Sequence, residues 1–363
     1  MSEVYVGMDV HSKWSPFVIQ RAEGSILSRG QVPTSVEGYA AMKAQHGLAP
    51  GTKVGLESGV MAFYAARILQ DLDLEPVVID AHEVRLKASR PRQKSDRRDA
   101  FEICDGLRRD IYRTIIHVPT CPIVQLRETL AQRRHFVRVA TAEVNATKHI
   151  LRSTGLGKLC RPMQGERSWQ VLLEQLSEPV RSRVELHHQV WRAAGNQVEV
   201  LEKSLIKQSA HFTDDFFRLQ TVPGVGPIVA LTVIAAFSDV RRFASAKQAS
   251  SYAGLVPTTN QSGDRDWHGH ITRRGSTELR AMLVEAAHHT CRKSHPLNPY
   301  FTKLCAKRGY KMTVVAIAHR LCRVLYAMLR DQVDFDITKL AIEVGPFEQK
   351  VVKPYRLRRK PAA

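Results

Sequence analysis

The chain has 363 residues, 44% hydrophobic and 25% charged, the composition of a folded protein of about two domains rather than of a disordered or fibrous one. Lysine and arginine number 54 against 35 acids, a formal charge of +19. A surplus of that size favours a polyanionic partner, because neutralising phosphates releases their counterions.

The first residues include Glu3 and Asp9 and lack a basic stretch followed by an apolar one, so no signal peptide is expected. No run of about 18 uncharged apolar residues suggests a membrane span. The six cysteines are scattered without a CxxC pair, which fits reduced thiols better than a disulfide framework and places the protein in the cytoplasm.

In chain order, Val4 to Val10 reads as a short strand ending in an acid, and Pro16 to Gln20 and Ile26 to Val32 as two further strands. A polar helix over Val36 to Gln45 leads to the strand Lys53 to Glu57. Met61 to Leu72 has helical apolar spacing, and Pro76 to Asp80 reads as a fifth strand. The pattern predicts an α/β domain with a hairpin sheet extended by parallel strands. A basic stretch from Arg85 to Arg98 follows, with Ser95 as a candidate N-cap for the next helix.

From Ile123 to Leu151 apolar residues recur at heptad spacing, through Leu126, Leu130, Val137, Ala140 and Val144. The stretch Val190 to Ile206 has the same habit, so the two predict an antiparallel hairpin or an intermolecular coiled coil; an ordinary intradomain helical core is the third possibility. Residues 153–185 are weakly patterned. Apparent helices run from Leu219 to about Asp331, and Lys350 to Ala363 forms a basic, proline-flanked tail.

Three groups of residues could carry chemistry. Asp9 and Glu57 each end a predicted strand, while Asp96 and Asp99 share a helix face at i, i+3 spacing. Carboxylates brought together repel one another unless cations neutralise them, and hard oxygen ligands suit Mg²⁺ or Mn²⁺. Four unrelated surface acids would give the same spacing. The turn Val222 to Pro227, with Gly224 and Gly226, resembles a helix-hairpin-helix DNA contact, exposing backbone amides before a helix N-terminus; a plain tight turn is the competing reading. Ser262, followed by Gly263, lies near Arg265, Arg273, Arg274 and Arg280, where a hydroxyl could meet a phosphate held by guanidinium forks, or could simply sit in a turn. The histidines make no metal-ligand pattern, and the four tryptophans are too dispersed for a stacking platform.

These blocks together resemble the DEDD transposases of the insertion sequence 110 family, relatives of the Piv invertases. The resemblance rests on Gly7 to Lys13, Glu57-Ser-Gly, Lys94 to Ala100, the Pro-Gly-Val-Gly-Pro turn, Phe243 to Pro257, Gln261-Ser262-Gly263 and Arg273 to Arg280, in the family's order. It implies a RuvC-like domain of RNase H fold whose acids Asp9, Glu57, Asp96 and Asp99 hold Mg²⁺. It also implies a mainly α C-terminal transposase domain supplying a serine nucleophile. Ser262 is the best match, with Ser245, Ser250 and Ser251 as neighbours. Guidance by a structured bridge RNA is likewise implied by the family. One departure is Ser58 after Glu57, where relatives often carry threonine nearby.

The expected organisation is a RuvC-like domain over 1–122, a helical coiled-coil region over 123–215, a transposase domain over 216–335 and a basic tail over 336–363. The expected function is Mg²⁺-dependent, site-specific recombination of an insertion sequence through a covalent phosphoserine link. Expected partners are element and target DNA, bridge RNA and further copies in a homodimer or tetramer at the nucleoid, with no membrane. A junction resolvase using the acids and water, or a non-catalytic nucleic-acid-binding protein, are the rival readings. Ser262→Ala separates the first rival and Asp9→Asn the second.

Overall fold

The structure, a computed structural model, describes residues 3–87, 96–262, 265–272, 274–340, 342 and 344–346; at 96, 97, 259–262 and 265–268 it describes the backbone alone. The chain divides into two units, Met1–Pro119 and Thr120–Ala363. The N-cap candidate Ser95, Arg273 and the basic tail from residue 347 lie outside the described residues.

The first unit is built on a six-stranded sheet in the order β3-β2-β1-β4-β5-β6. Strands β1 (Val4–Met8), β2 (Trp14–Arg21) and β3 (Ile26–Pro33) form an antiparallel meander. Beyond β1, strands β4 (Lys53–Glu57) and β5 (Glu75–Ile79) run parallel to it, and the two-residue β6 (Ile115–Ile116) closes the edge antiparallel to β5. The tight β2–β3 turn uses Gly24 at φ +96°, a conformation that costs glycine little.

Helices α1 (Val36–His46) and α2 (Ala62–Asp71) cover one face of this sheet. The Ser35 hydroxyl accepts from the Gly38 amide to cap α1, and Gly47 ends it in the left-handed conformation. Ala62, Ala65, Ala66 and Leu69 of α2 recur at helical spacing and are buried with Val6, Met8, Val54 and Leu56. The short helix α3 (Ala81–Lys87) leads toward α4 (Asp96–Arg108), which packs on β1, β2 and β4.

The second unit is mainly helical. Helix α5 (Cys121–Ser153) and α7 (Val180–Gln208) lie along one another, with α6 (Glu166–Glu174) between them in sequence. The pairs Glu143–His187, Arg133–Glu202 and Thr129–Gln208 step in opposite directions, so the two helices are antiparallel. The heptad pattern places the seam only in part. Ile123, Leu126, Leu130 and Leu205 are buried at one end, and Ile150, Leu151, Trp169, Leu172 and Val184 form a separate small core at the other. Between them Val137 and Val190 are 36% and 45% exposed, because polar pairs rather than apolar knobs join the helices there.

Helix α8 (Thr213–Gln220) precedes α9 (Pro227–Phe237), in which every residue from Val229 to Phe237 is buried. A helix apolar all round belongs inside a core, and α9 is surrounded by α5, α8 and α11 (Thr277–His288). Its C-terminal carbonyls are satisfied by two guanidiniums. Arg127 Nε donates to Ala235 O, while Arg242 donates to Ala236 O and Phe237 O and lies over the Phe243 ring at 4.1 Å.

Helix α10 (Ala246–Tyr252), the hairpin of β7 (Pro257–Ser262) and β8 (Arg265–Ile271), α12 (Asn298–Arg308) and α13 (Tyr310–Asp331) complete the unit. Helix α13 qualifies the reading that nothing could span a bilayer. Among the described residues it is the one helix long and apolar enough by length and composition, yet Val314, Ile317, Leu321, Leu325 and Leu329 bury one face of it in the core.

Candidate catalytic site

The acid end of the first unit is set by strand register. Strands β1 and β4 are parallel with Gly7 opposite Gly55 and Met8 opposite Leu56. Asp9 follows β1 directly and Glu57 closes β4, so both acids stand at the carboxyl end of adjacent strands, where open α/β sheets bind their ligands. Side chains alternate along a strand, which puts Asp9 on the Gly7 face and Glu57 on the Gly55 face.

That face is the one α4 covers, and glycine is what allows it. A Cβ on Gly7 would lie 2.3 Å from Ala100 O and 2.4 Å from the Cys104 amide nitrogen; one on Gly55 would lie 2.8 Å from an Ile103 methyl. The two glycines form a saddle that brings α4 down to backbone contact. Asp99, the residue before Ala100, is thereby carried to the strand ends that bear Asp9 and Glu57. Asp96 opens the same helix one turn earlier, and its side chain lies outside the described residues.

The immediate surroundings are polar. Asp9, with 15% of its side chain exposed, pairs with His11 Nε2 at 3.1 Å, and its backbone amide donates to Pro16 O. The Ser58 hydroxyl accepts from the Ala81 amide, tying the loop after Glu57 to α3. A third strand-end acid, Asp80, caps α3 by accepting from the amides of His82 and Glu83. Glu83 was not singled out by the sequence. It accepts from the Arg113 and Thr114 amides and from Lys87, and the ammonium and these amides lower its pKa to about 2. Its i, i+4 spacing to Lys87 signals only the ion pair; the two amide donors come from a turn 30 residues away.

Among the described residues no three His, Cys, Asp or Glu side chains converge in a geometry that holds a metal ion. Asp9 and Glu57 at neighbouring strand ends and Asp99 on the covering helix are hard oxygen groups of the kind Mg²⁺ and Mn²⁺ take, but their side chains are not gathered into one metal-holding cluster among the described residues.

In the second unit Ser262 ends β7 and pairs with Arg265, the first residue of β8, so these two share the hairpin tip. Arg274 lies past the hairpin's base, where Pro257 pairs with Ile271. Five residues of strand separate base from tip, about 17 Å. The fold thus puts Arg265 beside Ser262 and sets Arg274 and Arg280 apart from them. Arg280 donates to Ala253 O and Thr277 Oγ1. Gly275, at φ +104°, is pressed against α10, where a Cβ would meet Tyr252 O at 2.1 Å. The alternative serines are occupied differently: Ser245 caps α10, the buried Ser250 donates to Ala246 O, and Ser251 is exposed.

The glycine turn joins α8 to α9. Gly226 is the N-cap residue of α9, with Pro227 opening the helix, and Gly224 adopts φ +84°. A Cβ on Gly224 would lie 3.2 Å from Ala286 O and 3.5 Å from His295 Nε2. Burial lowers the His295 pKa, and its Nδ1 accepts from the Leu297 amide.

Two family models match this chain, and together they cover well over half of it. Residues 6–155 match a transposase model of the DEDD type of IS110, and residues 217–302 match the model described as transposase of the IS116/IS110/IS902 family. Asp9, Glu57, Asp96 and Asp99 lie in the first match and Ser262 in the second. The chain is 28% identical over 303 residues to a "Probable family 20 transposase" of Pseudomonas aeruginosa, covering 77% of this chain and 84% of that protein. It is 26% identical over 246 residues to the transposase for insertion sequence element IS1111A of Coxiella burnetii, covering 66% and 67%. Over 158 residues it is 29% identical to the pilin gene-inverting protein of Moraxella bovis, covering 43% and 45%.

Proposed function

Because the chain belongs to the IS116/IS110/IS902 family of transposases, we propose that it moves an insertion sequence by site-specific recombination, using the acids of its first unit and Ser262 of its second. The observation that carries this reading is the Gly7–Gly55 saddle, which delivers the Asp99 helix to the strand ends holding Asp9 and Glu57. The strand order supports assigning the first unit to the RuvC-like group of RNase H folds.

Asp9, Glu57, Asp96 and Asp99 would hold Mg²⁺ or Mn²⁺. A bound divalent ion supplies Lewis-acid stabilisation of the charge that builds on a scissile phosphate. The protein's own steps are those of a nucleophile and its clamp. Ser262 Oγ attacks the phosphorus, a serine–phosphate ester forms as the P–O bond to one DNA strand breaks, the serine proton passes to solvent, and the departing oxygen is protonated to a hydroxyl. Arg265 at the same hairpin tip orients the phosphate. The ester conserves the phosphodiester for rejoining, so no nucleotide cofactor is consumed.

Bridge RNA as a guide and a homodimer or tetramer at the cytoplasmic nucleoid belong to the same proposal as implied by the family resemblance; the +19 charge supports only the nucleic-acid partner. The test is incubation of the protein with Mg²⁺, labelled element-junction and target DNA and RNA transcribed from the element flanks, followed by denaturing electrophoresis. A protein–DNA adduct absent in Ser262→Ala and in Asp9→Asn is the expected result. Nicked DNA without any adduct would replace this reading with a water-using resolvase, and activity untouched by Asp9→Asn would remove the acids from the mechanism.

A further inference from the structure

The outward face of α13 lines a groove with a cavity volume of about 1330 Å³, bounded by the base of the β7–β8 hairpin and by residues 333–340. Its floor is apolar, formed by Val315, Ala316, Val324 and Ala327, with Met312 standing 62% exposed at one end. Its rim is cationic. Arg308, Lys311 and Arg323 are exposed along it, and among the described residues none of the three has an ion-pair partner. Of the three acids that line the groove, Asp331 pairs with Arg330 and Asp336 with Lys339, while Asp334 is exposed; six lysines and arginines line the same groove. Burial and the neighbouring Arg323 hold the His319 imidazole below its ordinary range, so it enters as a neutral hydrogen-bonding group at neutral pH.

We propose that this groove binds a single strand of nucleic acid, its phosphates on the Arg308, Lys311 and Arg323 rim and its bases against the apolar floor. Charge selects the occupant. The chain's own tail, with Lys353, Arg356, Arg358, Arg359 and Lys360, would add like charge, and a second copy brings +19. A single strand offers both a polyanionic edge and exposed base faces, whereas a duplex keeps its bases inside. The proposal rests on the nucleic-acid reading of the preceding subsection, but none of the residues lining the groove is one of the acids or Ser262.

The test is fluorescence anisotropy on the full chain with labelled 20-nucleotide oligo(dT), oligo(U) and a 20-base-pair duplex across a salt series. Replacing Arg308, Lys311 and Arg323 together by Ala should weaken single-strand binding roughly ten- to a hundredfold and lower the log–log salt slope by about 2. Replacing Arg181 and Arg183, exposed cations on α7, should not. Met312→Glu, one change at an exposed position, should weaken the same binding without loss of fold. A preference for oligo(U) assigns the groove to an RNA guide, and a preference for oligo(dT) to a displaced DNA strand. Unchanged single-strand affinity in both variants overturns the groove, as does equal loss for the duplex. Failure of the wild-type chain to bind any of the three overturns the nucleic-acid reading itself.

Discussion

The two places where chemistry is proposed are built in opposite ways. The acid end of the first unit is welded into its core: Asp9 and Glu57 prolong strands whose neighbours Met8 and Leu56 are fully buried, and Asp99 rides a helix seated on bare backbone. Ser262 stands at the tip of a two-stranded hairpin that, among the described residues, pairs with no other strand. Rigid placement suits groups that must hold several ligands in fixed geometry, while a hairpin tip lets a nucleophile reach a large, variable substrate.

The largest effect that would break this contrast is on chemistry. Asp9→Asn and Glu57→Gln should each lower strand cleavage at least a thousandfold with the melting temperature held within a few degrees, and Ser262→Ala should abolish the covalent adduct while leaving the fold alone, as gel assays with parallel calorimetry will show. Cleavage surviving Glu57→Gln would mean that the rigid acid end is scaffolding.

A smaller but still large effect is expected from the glycines. Gly7→Ala forces α4 off the sheet and should cost about 1–3 kcal/mol by denaturant unfolding, with cleavage falling by far more than stability because Asp99 is displaced. Gly59→Ala, in the neighbouring loop with open space around its Cβ position, is the matched control and should cost little. On the other side of the contrast, Gly275→Ala collides with Tyr252 O and loses a favourable positive φ, and should destabilise the second unit in the same measurement.

Two finer effects separate the units further. Gly195 sits within α7 with nothing near its Cβ position, so Gly195→Ala should stabilise the chain by roughly 0.5–1 kcal/mol. Glu83 has a pKa lowered from 4.5 to about 2, so its contribution to stability is complete above pH 4.5 and is lost as pH falls toward 2. Glu83→Gln should flatten that part of the melting-temperature profile; a profile identical to wild type would show that its three donors do not matter.

Much of the first unit was legible because strand-end acids and apolar alternation are local signals. Val4 to Met8 and Lys53 to Glu57 announce themselves by composition, and the i, i+3 pair Asp96 and Asp99 by helical period. The saddle was not legible: Gly7 and Gly55 become meaningful only when the parallel register sets them side by side beneath α4. The same limit hid the two backbone amides of Arg113 and Thr114 that Glu83 accepts from, although its i, i+4 pairing with Lys87 is local, and it hid the employment of Arg280 on Ala253 O. In the helical unit the heptads of α5 and α7 announced a pairing, yet spacing alone could not tell that Val137 and Val190 would be left to solvent, because burial depends on what is opposite.

The paired helices α5 and α7 have a mechanical meaning. Helix α5, with 33 residues, extends for about 50 Å. It is anchored in one core at its start and in a second, smaller core at its end, with a salt-bridged span between. That is a strut of fixed length, equivalent to roughly 15 base pairs of duplex at 3.4 Å each. The small distal core is held at that distance from α9, so shortening the strut by whole turns would change this spacing without touching any residue proposed to react.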